Sequence, residues 1–289
     1  LPKAQSNFFT LAKLLKTQGY TSSFIYGGES HFDNMRGFFL NNGFDQAIDE
    51  KDYDTPEFVG NWGVSDEDLF NKAHEKFEGH SESPFFSVVF SSSNHSPWQF
   101  PDGKIELYDD DKNTRNNAVK YADYALGNYI EKAKKSNYWH NTIFVIVADH
   151  DSRVHGEDLV PVDRFHIPAL ILGKSVSARI DNRIISQIDI GPTLLSMLGI
   201  NKPTPMIGRD LTQNIAASGR AIMQYGDNQA YMEDDEVVIL QPGKEAQQFT
   251  RDKGKLVVSA LDTRLADKAK AHAAWVDHMY YNELYSLTN

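Results

Sequence analysis

A carboxylate and an imidazole stand side by side at Asp149 and His150, directly after an apolar run from Ile143 to Val147. The run predicts a strand buried on both faces of a parallel sheet. An oxygen and a nitrogen ligand at the end of such a strand suit Mn²⁺, Zn²⁺ or Mg²⁺. The alternative is that Asp149 caps a turn and His150 is a loop residue. The buried strand and the nearby His155 favour the metal-binding interpretation.

A further histidine follows a second apolar run of the same kind. Residues Phe85 to Phe90 predict another buried strand, which leads into a polar loop containing His95 and Trp98. Parallel strands bring their carboxyl ends to one edge of a sheet, where open α/β folds bind ligands. We therefore expect His95 at the same edge as Asp149, although a histidine in such a loop is otherwise structural. Trp98 either walls a pocket or simply packs.

A third polar loop runs from Gly28 to Arg36, after the first short strand predicted along the chain. The guanidinium fork of Arg36 matches the oxygens of a phosphate or sulfate. Asp33 is a second candidate for contact with an anionic or hydroxylated substrate. The alternative is that Asp33 or Asn34 caps the helix predicted over residues 35–41, with Arg36 on its solvated face. The sequence leaves both interpretations open.

The elements between these loops predict an α/β fold. Helical periodicity alternates with apolar runs, which is typical of a mostly parallel central sheet with helices on both faces. Helices are predicted over residues 6–19 and 113–136, among others. From Met206 the pattern changes to short strands separated by turns, followed by a closing helix over residues 261–287. We predict two domains, a larger one over residues 1–215 and a small α+β one over residues 216–289.

Composition excludes several classes of function. The net charge of −11 argues against non-specific nucleic-acid binding, which needs a basic surface. A bound metal ion can still supply positive charge for phosphate chemistry. The chain has no cysteine, so it has no disulfide, thiolate ligand or cysteine nucleophile.

No apolar run approaches the roughly 18 residues that a transmembrane helix requires. The chain begins at Leu1 without an initiator methionine. We therefore expect it to be the interior of a longer protein.

Five segments together resemble the sulfatase/alkaline phosphatase superfamily. Three of them are typical of the superfamily as a whole: Ala148-Asp-His150, the run from Phe165 to Gly173, and the run from Ser186 to Ile200 with its Asp-Ile-Gly-Pro-Thr-Leu-Leu sequence. Two more are similar to the lipoteichoic acid synthase branch, whose members are phosphoglycerol transferases: Gly27-Gly28 with Phe32-Asp-Asn-Met-Arg36, and Ser93-Asn-His-Ser-Pro97. The resemblance covers residues 6 to 215.

The resemblance implies roles for the candidate residues. Asp149 and His150 become metal ligands, for Mn²⁺ in the first place and for Zn²⁺ or Mg²⁺ as alternatives. His95 and His155 are expected to contact the transferred phosphoryl group and to take part in catalysis.

Asp33 and Arg36 are expected to line the substrate pocket. Members of the superfamily also carry an earlier acidic metal ligand and a threonine nucleophile. Neither is found in this sequence. The resemblance therefore implies that both lie upstream and that these 289 residues alone are inactive.

The function expected from the resemblance is transfer of phosphoglycerol, or a related phospho-headgroup, from a phospholipid donor to a glycan or polyol acceptor. The expected location is the bacterial cell envelope, on the periplasmic or extracellular face of the inner membrane, with a membrane segment upstream. A sulfatase or phosphodiesterase of the same superfamily is one alternative. A non-catalytic domain that binds a glycan or a partner is another.

Overall fold

The computed structural model describes residues 5–80, 83–151, 154–213 and 219–287. The chain forms two compact units. The first contains Leu1–Phe144 and Leu172–Val176, and the second contains Val145–Ile171 and Ser177–Asn289. The domain boundary predicted between residues 215 and 216 falls outside the described residues and stays a prediction.

The helices are named in chain order. They are α1 (Leu11–Lys16), α2 (Met35–Asn41), α3 (Asp66–Glu78), α4 (Arg115–Ala133), α5 (Ile190–Met197) and α6 (Thr263–Tyr281). The strands are β1 (Thr21–Tyr26), β2 (Gln46–Ile48), β3 (Val59–Gly60), β4 (Gly63–Val64), β5 (Phe85–Phe90), β6 (Phe144–Val147), β7 (Ala169–Leu172), β8 (Arg220–Tyr225), β9 (Asn228–Glu233), β10 (Glu236–Leu240), β11 (Gln247–Asp252) and β12 (Lys255–Ser259).

The first unit is built on a parallel three-stranded sheet in the order β2-β1-β5. Neighbouring side chains of a strand point to opposite faces, so β1 contributes to two cores. On one face Phe24 stacks on Phe39 of α2, with ring centroids 3.9 Å apart. On the other face Ile25 packs with Leu69 of α3 and Tyr129 of α4. The α/β prediction, with helices on both faces of a parallel sheet, is confirmed for this unit.

Helix α1 is shorter than predicted. It begins at Leu11 rather than Ser6, and Thr10 caps it by accepting a hydrogen bond from the backbone amide of Lys13 at 3.1 Å. The backbone amide of Phe8 instead donates to Oδ1 of the buried Asn42 at 2.8 Å. A tertiary hydrogen bond therefore replaces the helical one in the segment before α1.

Two strands predicted to be buried are only partly buried. Phe90 of β5 and Val147 of β6 are 37% and 39% exposed. Among the described residues β5 pairs only with β1, and β6 and β7 pair with each other in a separate two-stranded sheet. A strand with one neighbour leaves an edge and part of its faces uncovered, which is why the expectation of complete burial is wrong here.

The second unit contains an antiparallel sheet in the order β12-β11-β10-β9-β8. Val237 and Ile239 of β10 face a core shared with Val160. The alternate residue Val238 faces α6, where it packs against Leu265. This confirms the predicted C-terminal antiparallel sheet with a helix on it.

Asp189, which directly precedes α5, is fully buried in the second unit. Its Oδ1 accepts a hydrogen bond from the backbone amide of Arg209 at 2.7 Å and lies 3.1 Å from Nη2 of Arg220, the first residue of β8. Its Oδ2 accepts from the backbone amide of Ser186 at 3.0 Å. One carboxylate therefore ties the start of α5 to the edge of the antiparallel sheet.

We expect Asp189→Asn to lower the free energy of unfolding by about 3–5 kcal/mol, because the buried Arg220 loses its counter-charge and one accepting oxygen becomes a donor. Denaturation in urea measures this loss. Asp181→Asn is the matched control, since its ion pair with Arg183 at 2.6 Å is partly exposed and its removal costs about 0–1 kcal/mol. Equal losses in the two variants would contradict this role of Asp189.

Candidate active site

The loop that carries His95 is anchored by a buried carboxylate. Asp66, the first residue of α3, is 1% exposed. Its Oδ1 accepts from the backbone amides of Ser92 at 3.1 Å and Ser93 at 3.0 Å, and its own amide donates to the Ser93 hydroxyl at 3.0 Å. The end of β5 and the start of α3 are thus held together directly before His95. Burial raises the pKa of Asp66, and the hydrogen bonds from Ser93 and Ser92 oppose that rise.

The tautomer of His95 follows from its partner. Its Nδ1 lies 2.8 Å from the backbone carbonyl oxygen of Ser96. A carbonyl only accepts hydrogen bonds, so Nδ1 carries the proton and Nε2 of the neutral ring keeps its lone pair. The indole of Trp62 packs on the same ring with centroids 4.2 Å apart.

Trp62 lies in the turn between β3 and β4 and lines a shallow, open pocket. The other polar residues that line this pocket are Asn61, Ser65, Ser92, Ser93, His95 and Gln99. Phe32 meets Trp62 edge to face at 5.4 Å. An aromatic contact therefore links the loop before α2 to the pocket beside His95.

The loop with Asp33 and Arg36 is fixed by its own contacts. Asp33 and Asn34 have left-handed φ angles of 48° and 57°, and Asn34 occupies the cap position of α2 without a side-chain hydrogen bond. Helix capping by these two side chains is therefore not observed. Arg36 Nη1 donates to the carbonyl oxygen of Ala47 at 2.8 Å and lies 3.8 Å from Oδ2 of Asp49. Its side chain remains 49% exposed, so part of the guanidinium is open to an anion.

Asp149 and His150 follow β6 and are both exposed. Nδ1 of His150 lies 2.6 Å from the carbonyl oxygen of Asp151, which assigns the proton to Nδ1 and the lone pair to Nε2. That Nε2 lies 3.4 Å from Oδ2 of Asp149. Two ligands bound to one tetrahedral ion at ordinary bond lengths lie roughly 3.3 Å apart. The pair therefore fits a divalent metal ion in donor type and spacing.

The pair by itself supplies two donors, whereas a tetrahedral site takes about four. Within residues 5–80, 83–151, 154–213 and 219–287, no group of three or more His, Asp or Glu side chains is placed to hold a metal ion. A complete site would need ligands beyond those the structure describes.

Gln187 holds the backbone beneath this pair. Its Nε2 donates to the carbonyl oxygens of both Ala148 and Asp149, each at 2.9 Å. These bonds clamp the backbone where β6 ends and the two candidate ligands begin. A side-chain amide that bridges consecutive carbonyls restricts the rotation of the peptide between them.

The candidate residues fall into two groups. Asp33, Arg36 and His95 belong to the first unit, where contacts through Phe32 and Trp62 connect their loops. The other three are in the second unit: Asp149, His150 and the exposed His155. Ser152 and Arg153, on the segment leading to His155, lie outside the described residues. The expectation that the two groups meet at one sheet edge stays a prediction, as do the individual roles.

Sequence reasoning missed three contributors. Trp62 and Asp66 are not among the candidate residues that the sequence indicates. Gln187 belonged to the segment that carries the family resemblance but had no role. The Gly60-Asn-Trp-Gly63 sequence is a turn signal that marks Trp62. No sequence pattern indicates the partners of Asp66 or Gln187.

In the part of the chain that the structure describes, no helix has both the length and the apolar composition needed to cross a membrane.

The sequence profile of the sulfatase family matches residues 2–200. Phosphoglycerol transferase I of Xanthomonas campestris pv. campestris is 27% identical over 248 residues, which are 79% of this chain and 34% of that protein. Lipoteichoic acid synthase of Staphylococcus aureus is 28% identical over 232 residues, which are 72% of this chain and 35% of that protein. The chain therefore spans about a third of the length of these curated relatives.

Solved structures share the fold. A protein in the alkaline phosphatase superfamily from Vibrio parahaemolyticus is 54% identical, with a TM-score of 0.97 over 100% of this chain and 72% of that chain. The lipoteichoic acid synthase LtaP from Listeria monocytogenes is 23% identical, with a TM-score of 0.78 over 99% of this chain and 75% of that chain. The second likeness is one of fold alone.

We expect Gln187→Ala to loosen the turn at Asp149, because two carbonyl oxygens lose their common donor. Hydrogen exchange at the amide of His150, which donates to Asp149 Oδ1 at 2.8 Å, should become about five to ten times faster. Gln224→Ala is the control, since its Nε2 makes only a long, exposed contact of 3.5 Å with the Gly226 carbonyl oxygen. Unchanged exchange in Gln187→Ala would contradict the clamp.

Asp66→Asn tests the buried carboxyl. Because the pKa of Asp66 is raised in the folded state, its protonation stabilises the fold below the ordinary carboxyl pKa. This contribution is lost as the pH rises through the raised pKa. The Asp66→Asn variant does not titrate at this position, so its stability does not fall in this way. Its side-chain oxygen still accepts the hydrogen bonds from the backbone amides of Ser92 and Ser93. Its free energy of unfolding relative to the parent should therefore increase between about pH 4 and pH 7. A difference that stays constant over this range, measured by urea denaturation, would contradict the raised pKa.

Proposed function

Because this chain belongs to the sulfatase family of the alkaline phosphatase superfamily, we propose that it is part of a metal-dependent transferase. The transferred group is phosphoglycerol or a related phospho-headgroup, the donor is a phospholipid, and the acceptor is a glycan or polyol. The observation that carries the proposal is the 3.4 Å spacing of Asp149 Oδ2 and His150 Nε2, which suits two ligands of one ion. Mn²⁺ is the first candidate, with Zn²⁺ and Mg²⁺ as alternatives.

Each candidate side chain has a role that follows from its chemistry. Asp149 and His150 would hold a divalent cation, which would supply Lewis-acid stabilisation of negative charge on a phosphoryl group. The exposed part of Arg36 binds phosphoryl oxygens through its fork of N–H donors. His95 donates from Nε2, once protonated, to a phosphoryl oxygen, and His155 is proposed to have the same role. The exposed carboxylate of Asp33 accepts hydrogen bonds from the glycerol hydroxyls.

The nucleophile is proposed to be a threonine upstream of these residues. Its oxygen attacks phosphorus, a new P–O bond to threonine forms, and the P–O bond to the lipid alcohol breaks. The threonine proton leaves through a base and the lipid alkoxide takes up a proton. An acceptor hydroxyl then attacks the phosphothreonine, releases the threonine and completes the transfer. We place this reaction on the periplasmic or extracellular face of the inner membrane, with the anchor upstream.

Replacement of His150 by alanine in the full-length protein tests the proposal. Transfer of phosphoglycerol from a labelled phosphatidylglycerol vesicle to a glycan acceptor should fall at least about 100-fold, and titration should show weaker Mn²⁺ binding. His140→Ala is the matched control, since His140 is an exposed histidine ten residues earlier and outside the candidate site.

The product distinguishes the alternatives. Release of the labelled headgroup to water without transfer would support a phosphodiesterase. Unchanged activity and unchanged Mn²⁺ binding in His150→Ala would overturn the metal-dependent mechanism. Absence of both transfer and hydrolysis in the parent protein would favour a domain that only binds a glycan or a partner.

A further inference from the structure

Trp62 makes three side-chain contacts around His95. Its indole ring packs on the imidazole with centroids 4.2 Å apart. Its Nε1 donates to the carbonyl oxygen of Ser96 at 2.7 Å. Its ring also receives the edge of Phe32 at 5.4 Å. Among the residues in these contacts, Trp62 touches both the ring of His95 and the Ser96 carbonyl group to which that ring donates.

The carbonyl oxygen of Ser96 is shared by two donors. It accepts from Nδ1 of His95 at 2.8 Å and from the indole of Trp62 at 2.7 Å, one for each lone pair. The indole bond fixes the direction of this peptide group, and the peptide group in turn fixes Nδ1. Nδ1 keeps its proton whether the ring is neutral or protonated, so only Nε2 changes its state.

The hairpin that carries Trp62 is held in place on several sides. The amide of Val64 donates to the carbonyl oxygen of Gly27 at 2.9 Å, and the hydroxyl of Ser92 donates to the carbonyl oxygen of Trp62 at 3.3 Å. A Cβ atom at Gly28 would lie 2.7 Å from the carbonyl oxygen of Trp62, so only glycine permits this approach. The backbone of Trp62 is therefore held where its ring meets His95.

We propose that Trp62 is a positioning residue for phosphoryl transfer, which holds His95 in its Nδ1–H tautomer so that Nε2 is the nitrogen offered to the phosphoryl group. This inference rests on the proposed function of His95. It assigns a task to a residue that does not itself touch the reacting atoms. A purely structural tryptophan would fill space without control over the imidazole tautomer, and that difference is measurable.

The first test is spectroscopic and needs no activity. The 289-residue chain contains ten histidines, and ¹⁵N labelling of histidine with a His95→Ala spectrum identifies the signal of His95. We expect the parent to show the Nδ1–H pattern of ¹⁵N shifts at a pH where the ring is neutral. Trp62→Ala should convert it to a mixture of tautomers, and Trp62→Phe, which keeps an aromatic ring on the imidazole but lacks the N–H donor to the Ser96 carbonyl oxygen, should do so as well.

Trp275→Phe is the control for the spectra. Trp275, which is 40% exposed, also neighbours a histidine, His278, but their ring centroids are 6.1 Å apart on α6. Its replacement should leave the signal of His95 unchanged. An unchanged His95 tautomer in Trp62→Ala would overturn the proposal.

The second test measures transfer by the full-length protein. Trp62→Ala should lower kcat about 10- to 100-fold with a smaller effect on KM, because the ring is misaligned rather than substrate binding lost. Trp62→Phe, which lacks the donor to the Ser96 carbonyl oxygen, should show a similar loss, and Trp275→Phe should match the parent.

The two tests separate the possible failures. A changed tautomer with an unchanged kcat in Trp62→Ala would overturn the positioning role in transfer. If His95→Ala also left kcat unchanged, the proposed function of His95 would fail as well, independently of the contact between the two rings.

Discussion

Hydrogen-bond donors stabilise a buried carboxylate by replacing the water it has lost, and in each unit of this chain such donors reach a carboxylate at the start of a helix. Asp66 accepts from the backbone amides of Ser92 and Ser93 in the first unit. Asp189 accepts from backbone amides and faces Arg220 in the second. In both cases a short side chain joins a helix start to distant backbone, and in the first unit this holds the loop that carries His95.

The candidate residues depend on neighbours that perform no chemistry. His95 takes its tautomer from the carbonyl oxygen of Ser96, and that carbonyl group is oriented by the indole of Trp62. The Asp149 turn is held by the amide of Gln187. Such supporting contacts fix ligand and base geometry within the narrow limits that catalysis requires. They also explain why short motifs alone describe these sites incompletely.

The proposed reaction needs side chains of this chain and also groups that are not among them. Asp149 and His150 provide two donors of suitable type and spacing, while Arg36 retains an exposed fraction of its guanidinium. A tetrahedral ion and a covalent intermediate need more than these groups. The chain spans about a third of the length of the curated relatives that it matches.

Several features were predictable because they depend on local pattern. The alternation of apolar runs and helical periodicity predicted the parallel sheet of the first unit, and the turn signals after Met206 predicted the antiparallel sheet and α6. Helix α2 occurs where expected, over Met35–Asn41. The Asp-His pair after an apolar run and the Asp-Ile-Gly-Pro-Thr segment sufficed to indicate the family, since both are contiguous in sequence.

Only the tertiary structure decided what those residues contact. The late start of α1 depends on Asn42, more than 30 positions away, and the partial burial of β5 depends on how many strands lie beside it. Trp62 meets His95 because a hairpin and a loop 33 positions apart converge on one carbonyl group. Sequence alone determined the fold class and the candidate chemistry, because periodicity and motif spacing are local. The orientation and tautomer of each group came from non-local hydrogen bonds and packing, which no local pattern encodes.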